Sequence, residues 1–145
     1  NTGQTRGGRD ILKEQKKNTT DDRKKIENLH KMVRLAYTLK EELLHNNIDA
    51  MGDILHQGWM YKKELAGGIS NELINRYYDL AMQNGASGGK LLGAGGGGFL
   101  LFYVKEENHE RVRHALRDLK ELKFKFDNKG TTIIHYNKHS LRGEF

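Results

Sequence analysis

The sequence predicts an α+β fold in which several helices pack against an antiparallel sheet. Three long stretches with helical spacing of apolar residues fill the chain up to a glycine-rich segment. After that segment come an apolar run too short for a typical helix and an alternating stretch with a turn signal. A run of helices followed by strands is typical of α+β domains.

Length and composition fit one globular domain. The chain has 145 residues, with no apolar run near the roughly 20 residues that a membrane helix needs. Its first ten residues are polar and basic, unlike a signal peptide. Cysteine is absent, which removes disulfides, thiolate metal sites and cysteine nucleophiles together. We therefore expect a cytoplasmic location and no membrane partner.

The net charge of +6 is unevenly distributed. Residues 1–35 carry ten Lys and Arg against five Asp and Glu, and residues 105–145 carry ten against seven. The middle, residues 36–104, carries five against seven. Basic ends are compatible with a nucleic-acid surface, but the aromatic residues lie mainly in the middle. This separation favours solvated helix faces, so nucleic acid is not the expected partner.

The first half of the chain predicts helices. A short one covers residues 9–17, and a longer one runs to about Leu43 after a cap at Thr19 or Thr20. The next begins with Asn47 as its cap and closes at two glycines, and the last begins with Ser70 as its cap and ends at Gly85.

The second half predicts strands around one more helix. The run "FLLFYV", residues 99–104, indicates a buried strand, and a helix follows with apolar residues from Val112 to Leu119. Residues 123–136 alternate charge with Phe, turn at "DNKG" and continue as a β-branched run, which predicts a hairpin. Residues 138–145 show no pattern and are predicted to be a flexible tail.

The glycine-rich segment is the most unusual feature of the sequence. Seven of the seventeen glycines fall within residues 88–98. Gly93, Gly95 and Gly98 satisfy G-x-G-x-x-G, but a strand follows them, whereas a dinucleotide fingerprint requires a helix there. A Walker A loop is excluded because Leu91, rather than Ser or Thr, follows Lys90.

What remains is a strand, a glycine loop and a second strand. A plain hairpin needs one or two glycines, whereas five occur within residues 93–98. Each ordered glycine loses roughly 0.5–1 kcal/mol more chain entropy than alanine does. The excess favours a loop whose backbone is approached by a ligand phosphate or by another loop, over a merely flexible turn.

The stretch "NGASGGKLLGAGGGGFLLFYV" resembles the third signature motif of the GHMP small-molecule kinases, G-A-K-x-[ST]-G-A-G-x-G-G before an apolar strand. Gly89 replaces the alanine of that motif, and Leu92 replaces its Ser or Thr. The pieces "NTGQTR", "DILKEQ", "LHQGWMYKKELAGGIS" and "FKFDNKG" resemble the branch of the family that acts on D-glycero-D-manno-heptose 7-phosphate. The similarity covers most of residues 1–137.

This resemblance implies the C-terminal, ferredoxin-like α+β domain of such a kinase over residues 1–137. It implies ATP and Mg²⁺ as cofactors, bound mainly by an N-terminal kinase domain of the same parent protein that is absent from this sequence. The family's nucleotide loop and catalytic Asp lie in that domain. No catalytic residue or metal ligand is therefore assigned to this chain, and we expect it to be inactive alone.

The resemblance also implies site residues. The loop Gly93, Ala94, Gly95, Gly96, Gly97 and Gly98 would lie beside the nucleotide loop and face the substrate cleft. Arg6, at the arginine of T-G-x-x-R, is a candidate for pairing with a sugar phosphate, or one more solvated arginine. Lys90 has two interpretations, a residue that faces the cleft and an ordinary strand-edge lysine.

The implied activity is ATP-dependent phosphorylation of heptose 7-phosphate at the anomeric hydroxyl, toward nucleotide-activated heptose for surface polysaccharide. Three alternatives stay open at this point. One is another sugar or metabolite as the substrate of a GHMP kinase, and another is a basic module that binds nucleic acid. The third is self-association through an exposed sheet edge.

Overall fold

The computed structural model describes residues 2–3, 8–127 and 129–133, with the backbone alone for residues 19–21. Up to residue 115 the helices and strands occur in the order that the sequence predicts, and the α+β class is confirmed. In chain order the elements are α1 (Gly8–Asp21), α2 (Arg23–Leu44), α3 (Ala50–Lys63), α4 (Glu72–Gln83), β1 (Ala86–Leu91), β2 (Leu100–Val104), a 3-10 turn (Glu106–Asn108) and α5 (His109–Ala115).

The two strands pair antiparallel, as predicted. Gly89 lies opposite Phe102 and Leu91 lies opposite Leu100, with an irregularity in the pairing between Ala86 and Gly88. The sheet therefore places the glycine-rich residues 92–99 at one end, as the connection between β1 and β2. We call this connection the glycine loop.

Helix α3 packs directly on strand β1 through glycines. A Cβ added to Gly88 would fall on the carbonyl oxygen of Gly52, and one added to Gly52 would lie 2.5 Å from the Cβ of Ser87. The helix and the strand thus approach each other at a distance that only glycine permits. This contact fixes the position of α3 relative to the glycine loop.

The main core lies between this helix, the sheet and α4. Its largest fully buried side chains, each less than 2% exposed, are Trp59, Tyr78, Leu65, Ile69, Ile74 and Leu91. Ile11 joins the same cluster and connects α1 to it. Burying one large apolar side chain stabilises the fold by about 1.5–3 kcal/mol. This cluster therefore holds the glycine loop's two ends against the helices.

The helix caps differ from the predicted ones. The cap of α2 is Asp22, whose carboxylate accepts hydrogen bonds from the amides of Lys24 (3.0 Å) and Lys25 (3.3 Å). The prediction of Thr19 or Thr20 was wrong because α1 continues through both threonines to Asp21.

The caps of the next two helices also shift by one or two residues. Asn47 does not cap α3, since the N-cap is Asp49 and the Asn47 amide donates to Glu42. In α4 the cap is Asn71, which accepts from the Ile74 amide at 3.0 Å. Ser70 instead donates to Asn75 at 2.9 Å.

The predicted hairpin over residues 123–136 was wrong in the part that the structure describes. Residues 121–127 and 129–133 form no strand, and Phe126 and Ile133 are each 85% exposed. Alternation alone does not make a strand without a partner to supply hydrogen bonds and cover the apolar face. Helix α5 ends at Ala115, before the predicted Leu119. The predicted flexible tail, residues 138–145, lies outside the described residues.

Candidate functional site

The glycine loop is a closed turn that requires glycine. The Leu92 amide donates to the Phe99 carbonyl at 2.8 Å and closes the loop at its base. Four glycines have positive φ, in a region that side-chain-bearing residues rarely adopt; they are Gly93 (88°), Gly95 (129°), Gly96 (73°) and Gly98 (116°). The glycine count thus exceeds that of a plain hairpin because the backbone conformation itself demands it.

One side of the loop rests on the segment between α3 and α4. The Gly96 amide donates to the Ile69 carbonyl at 2.9 Å. A Cβ on Gly95 would lie 2.6 Å from the Cα of Ile69, so the two backbones are in direct contact. The sequence predicted that either a ligand phosphate or another loop approaches the backbone of the glycine loop. The structure shows the contact with another loop, the segment at Ile69. The glycine loop is an anchored element.

The start of the chain holds the other side of the loop. The Thr2 amide donates to the Gly98 carbonyl at 2.8 Å, and the Gly98 amide donates to the Thr2 hydroxyl at 3.1 Å. Thr2 is only 7% exposed. At the first residue of α1, a Cβ on Gly8 would lie 3.2 Å from the Cβ of Ala94. The glycine loop thus contacts Thr2 and Gly8 on one side and the Ile69 segment on the other.

The tip of the loop has unused hydrogen-bond donors. The amides of Gly93, Ala94 and Gly97 donate no hydrogen bond within the described part of the chain. Gly93 is exposed, and the other two are partly exposed. Successive amides in a loop with alternating backbone handedness form a concave site for anions.

Two lysines lie beside these amides. Lys62, in the last turn of α3, donates from Nζ to the Gly93 carbonyl at 2.5 Å. Burial and the neighbouring positive charge of Lys90 lower the pKa of Lys62. Lys90 belongs to β1, two residues after Gly88, and therefore points to the same face of the strand, toward α3. Neither lysine forms an ion pair with a described carboxylate.

The structure accordingly brings most of the predicted site residues together. Gly93–Gly98 and Lys90 lie at one end of the sheet, whereas Arg6 lies outside the described residues. The sequence did not predict Lys62 as a site residue, because lysines in the last turn of a helix commonly complement the helix dipole. The adjacent Lys63 illustrates the ambiguity, since its Nζ lies 5.9 Å from the Trp59 ring centroid and not at the loop.

A buried hydrogen-bonded pair supports the strand that leads into the loop. The Tyr78 hydroxyl donates to the Gly89 carbonyl at 3.3 Å, and His56 Nδ1 lies 2.8 Å from the same hydroxyl. When the tyrosine donates to Gly89, its oxygen accepts from the His56 tautomer that carries a proton on Nδ1. Burial raises the pKa of Tyr78 to about 12. This pair is structural, since its groups bond to each other and to backbone.

The described residues form neither a metal centre nor a membrane-spanning helix. They contain no group of three or more His, Asp or Glu side chains placed to hold a metal ion. None of the helices within them combines the length and the apolar character required to cross a bilayer. Within the described residues, the glycine loop, Lys62 and Lys90 form the candidate functional site.

The fold and the loop define a class of protein, an α+β domain with a glycine-rich loop between two antiparallel strands. The family model described as "GHMP kinases C terminal" matches residues 39–121, from α2 through α5 to the segment beyond it. The chain belongs to the GHMP kinase family and corresponds to its C-terminal domain.

Two curated relatives are similar over most of this chain. A D-glycero-alpha-D-manno-heptose 7-phosphate kinase of Campylobacter jejuni subsp. jejuni serotype O:2 is 37% identical over 116 residues, 80% of this chain. A bifunctional fucokinase/GDP-fucose pyrophosphorylase of Arabidopsis thaliana is 34% identical over 104 residues, 71% of this chain. The matched parts are 34% of the first relative and 10% of the second. The chain therefore spans about a third or less of these proteins.

Proposed function

We propose that this chain is the C-terminal domain of an ATP-dependent sugar kinase that phosphorylates D-glycero-D-manno-heptose 7-phosphate at the anomeric hydroxyl. The observation that carries the proposal is the anchored glycine loop, whose tip exposes backbone amides beside two lysines. The 37% identity to a heptose 7-phosphate kinase supports this choice of sugar. The reaction would take place in the cytoplasm and lead toward nucleotide-activated heptose for surface polysaccharide.

In this proposal a second domain of the same polypeptide completes the active site. Thr2 is buried at the glycine loop, so a domain joined ahead of it would begin next to the loop. ATP, when bound, supplies the phosphoryl group. The loop amides suit anionic oxygens of either substrate, but the described residues offer no carboxylate cluster for Mg²⁺. We therefore assign the Mg²⁺ ligands and most of the ATP contacts to the N-terminal kinase domain.

The chain's own contribution is positioning and charge neutralisation, which carry most of the catalysis of phosphoryl transfer. Gly93, Ala94 and Gly97 would donate to anionic oxygens from rigid backbone positions. Arg6 and Lys90 would pair with the phosphate of the sugar, Arg6 by its planar fork and Lys90 as a point charge. Leu92 supplies no hydroxyl at the position where the family motif has Ser or Thr.

The test is ADP release by the full-length polypeptide that contains this domain, with heptose 7-phosphate, galactose and mevalonate as separate substrates. We expect turnover with heptose 7-phosphate, and its loss in Gly97→Val, where a side chain would cover the amide cradle. Gly97 has no positive φ, so the variant is expected to fold. Gly67→Ala, at an exposed glycine outside the loop, is the matched control. A folded protein without turnover on any substrate would refute the proposal.

A second candidate substrate is a sugar that carries no phosphate. The 34% identity to a protein with fucokinase activity in its name favours fucose over other members of this class. Adding fucose to the same assay decides between the two. Turnover with fucose and none with heptose 7-phosphate would replace the first candidate by the second.

A further inference from the structure

The end of helix α3 is placed at the glycine loop by the packing of the whole helix along β1. Near the helix start, Gly52 contacts Ser87 and Gly88, and one turn later His56 lies beside Gly88. At the helix end, Lys62 reaches Gly93, five residues further along the chain from Gly88. Helix and strand thus run side by side, and Lys90 falls between these two contact points.

The position of the two lysines is electrostatically unfavourable in the absence of a ligand. Lys62 is partly buried and lies near a second positive charge, and the described residues provide no carboxylate partner for either. The nearest acidic residue in sequence, Glu64, is paired with Lys24 at 3.1 Å. Unpaired like charges held close together are a mark of a binding site for an opposite charge.

The available groups are all donors, and their number and geometry select the ligand. The Lys62 ammonium has three hydrogens, so its bond to the Gly93 carbonyl leaves two for a ligand. The amides of Gly93, Ala94 and Gly97, which donate no hydrogen bond within the described residues, add three backbone donors at the loop tip. A phosphate monoester carries close to two negative charges and three strongly accepting oxygens, which matches two ammonium groups and several amides.

We propose that Lys62 and Lys90, together with the loop amides of Gly93, Ala94 and Gly97, form a binding site for a phosphate monoester. The inference rests on the proposed function for the identity of the ligand, which is then the phosphate that the sugar already carries. The same chemistry would suit the terminal phosphate of the nucleotide, and the experiment below separates the two sources. Lys62 keeps its bond to Gly93 and orients the loop while it contacts the phosphate.

The first experiment needs no kinase activity. The isolated chain is titrated with inorganic phosphate and with glucose 6-phosphate, and the amide NMR shifts of Gly93, Ala94 and Gly97 are followed. We expect these amides to move together, and the affinity to fall about three- to tenfold in Lys62→Met and in Lys90→Met. Lys40→Met is the matched control, because Lys40 is exposed on α2, far along that helix from Lys31 at Tyr61.

The Lys90 variant keeps the test decisive. Lys62→Met also removes a bond to the loop, so a loss of binding there has two explanations. Lys90 makes no described hydrogen bond, and its removal leaves the loop contacts intact. Unchanged phosphate affinity in a folded Lys90→Met protein, or an equal loss in Lys40→Met, would overturn the site.

The second experiment identifies the source of the phosphate in the full-length polypeptide. If the site holds the sugar phosphate, Lys90→Met raises the KM for heptose 7-phosphate about tenfold and leaves the KM for ATP unchanged. A rise confined to the KM for ATP supports the site and assigns it to the nucleotide. Phosphate binding without any kinase activity refutes the proposed function while supporting the site, so the two failures are distinguishable.

Discussion

Gly88 and Gly93 are five residues apart and are glycine for opposite reasons. Gly88 has ordinary strand geometry, but a side chain there would fall on the backbone of Gly52. Gly93 has no atom within 4 Å of an added Cβ, but its φ of 88° strains any other residue. The strand glycines permit a close approach, and the loop glycines permit a backbone conformation.

The two kinds of glycine have different structural roles, one in strand β1 and the other in the glycine loop. Gly88 lets helix α3 approach strand β1, and Gly89 lets the Phe102 ring of strand β2 lie against that strand. Gly93 and its neighbours turn the backbone so that three amides at the tip donate no hydrogen bond to the described residues. Substitutions in the strand should therefore damage stability, and substitutions at the loop tip should damage ligand binding with less effect on folding.

The largest effect is expected from Gly88→Ala. Its Cβ would collide with a backbone carbonyl, which no rotamer change relieves, so helix and strand must separate. We expect a loss of about 3–4 kcal/mol in the free energy of unfolding. Urea denaturation followed by circular dichroism measures it. A midpoint equal to that of the unsubstituted chain would show that the strand glycine is dispensable.

Gly95→Ala tests a loop glycine that combines a positive φ with a close backbone contact. Its φ is 129°, and its Cβ would lie 2.6 Å from the Cα of Ile69. We expect a loss of about 2–3 kcal/mol in the same measurement, smaller than that of Gly88→Ala. A loss below that of Gly93→Ala would contradict the role of the Ile69 contact.

Tyr78→Phe tests the strand side through pH. The pKa of Tyr78 is raised from 10 to about 12, so the unfolded chain loses this proton first as pH rises. Stability from the neutral hydroxyl is complete below pH 10 and is lost at about 1.4 kcal/mol per pH unit between pH 10 and 12. We expect the variant to be about 1 kcal/mol less stable at pH 7, and this difference closes within about one pH unit above pH 10 and then changes sign. A gap independent of pH would contradict this.

Gly93→Ala isolates the conformational cost alone. With open space around its Cβ, only the positive φ opposes the substitution, and we expect a loss of about 1 kcal/mol. Its effect on phosphate affinity should exceed this effect on stability, because the amide cradle changes shape. Parallel urea and phosphate titrations measure both. Unchanged phosphate affinity in Gly93→Ala would show that the loop tip does not form the phosphate site.

The smallest effect is a pH dependence at Lys62. Its pKa is lowered, so folding disfavours the charged form, and the resulting cost is fully present at low pH. The cost disappears as pH rises from the lowered pKa to the usual 10.5, so stability relative to Lys62→Met rises over this window. We expect about 0.5 kcal/mol from unfolding curves at pH 7 and pH 10. A falling difference would contradict the burial of this ammonium.

The sequence predicted the helices, the two strands and the glycine loop because each leaves a local pattern. Helix α2 repeats apolar residues every three or four positions, and β2 is an apolar run bounded by glycine and charge. Gly93, Gly95 and Gly98 of the family motif lie where the backbone has positive φ, a conformation that favours glycine. Such positions are therefore visible in the sequence itself.

Features set by long-range contacts were not predictable. Ser70 and Asn71 are both good caps, and only the observed helix start selects Asn71. The alternation of residues 123–127 gives a strand signal, but the described residues offer it no partner. Lys62 is indistinguishable from Lys63 in sequence, since their roles are decided by which side of α3 meets the loop.

The contact between Gly52 and Gly88 also has a consequence for the affinity of the proposed phosphate site, although neither glycine belongs to that site. A helix moves as a nearly rigid rod, and Lys62 lies ten residues, about 15 Å, along α3 from Gly52. A larger residue at position 52 would tilt the rod and withdraw the ammonium from Gly93. In the proposed phosphate site, a substitution at position 52 would therefore change anion affinity without altering any residue that touches the ligand.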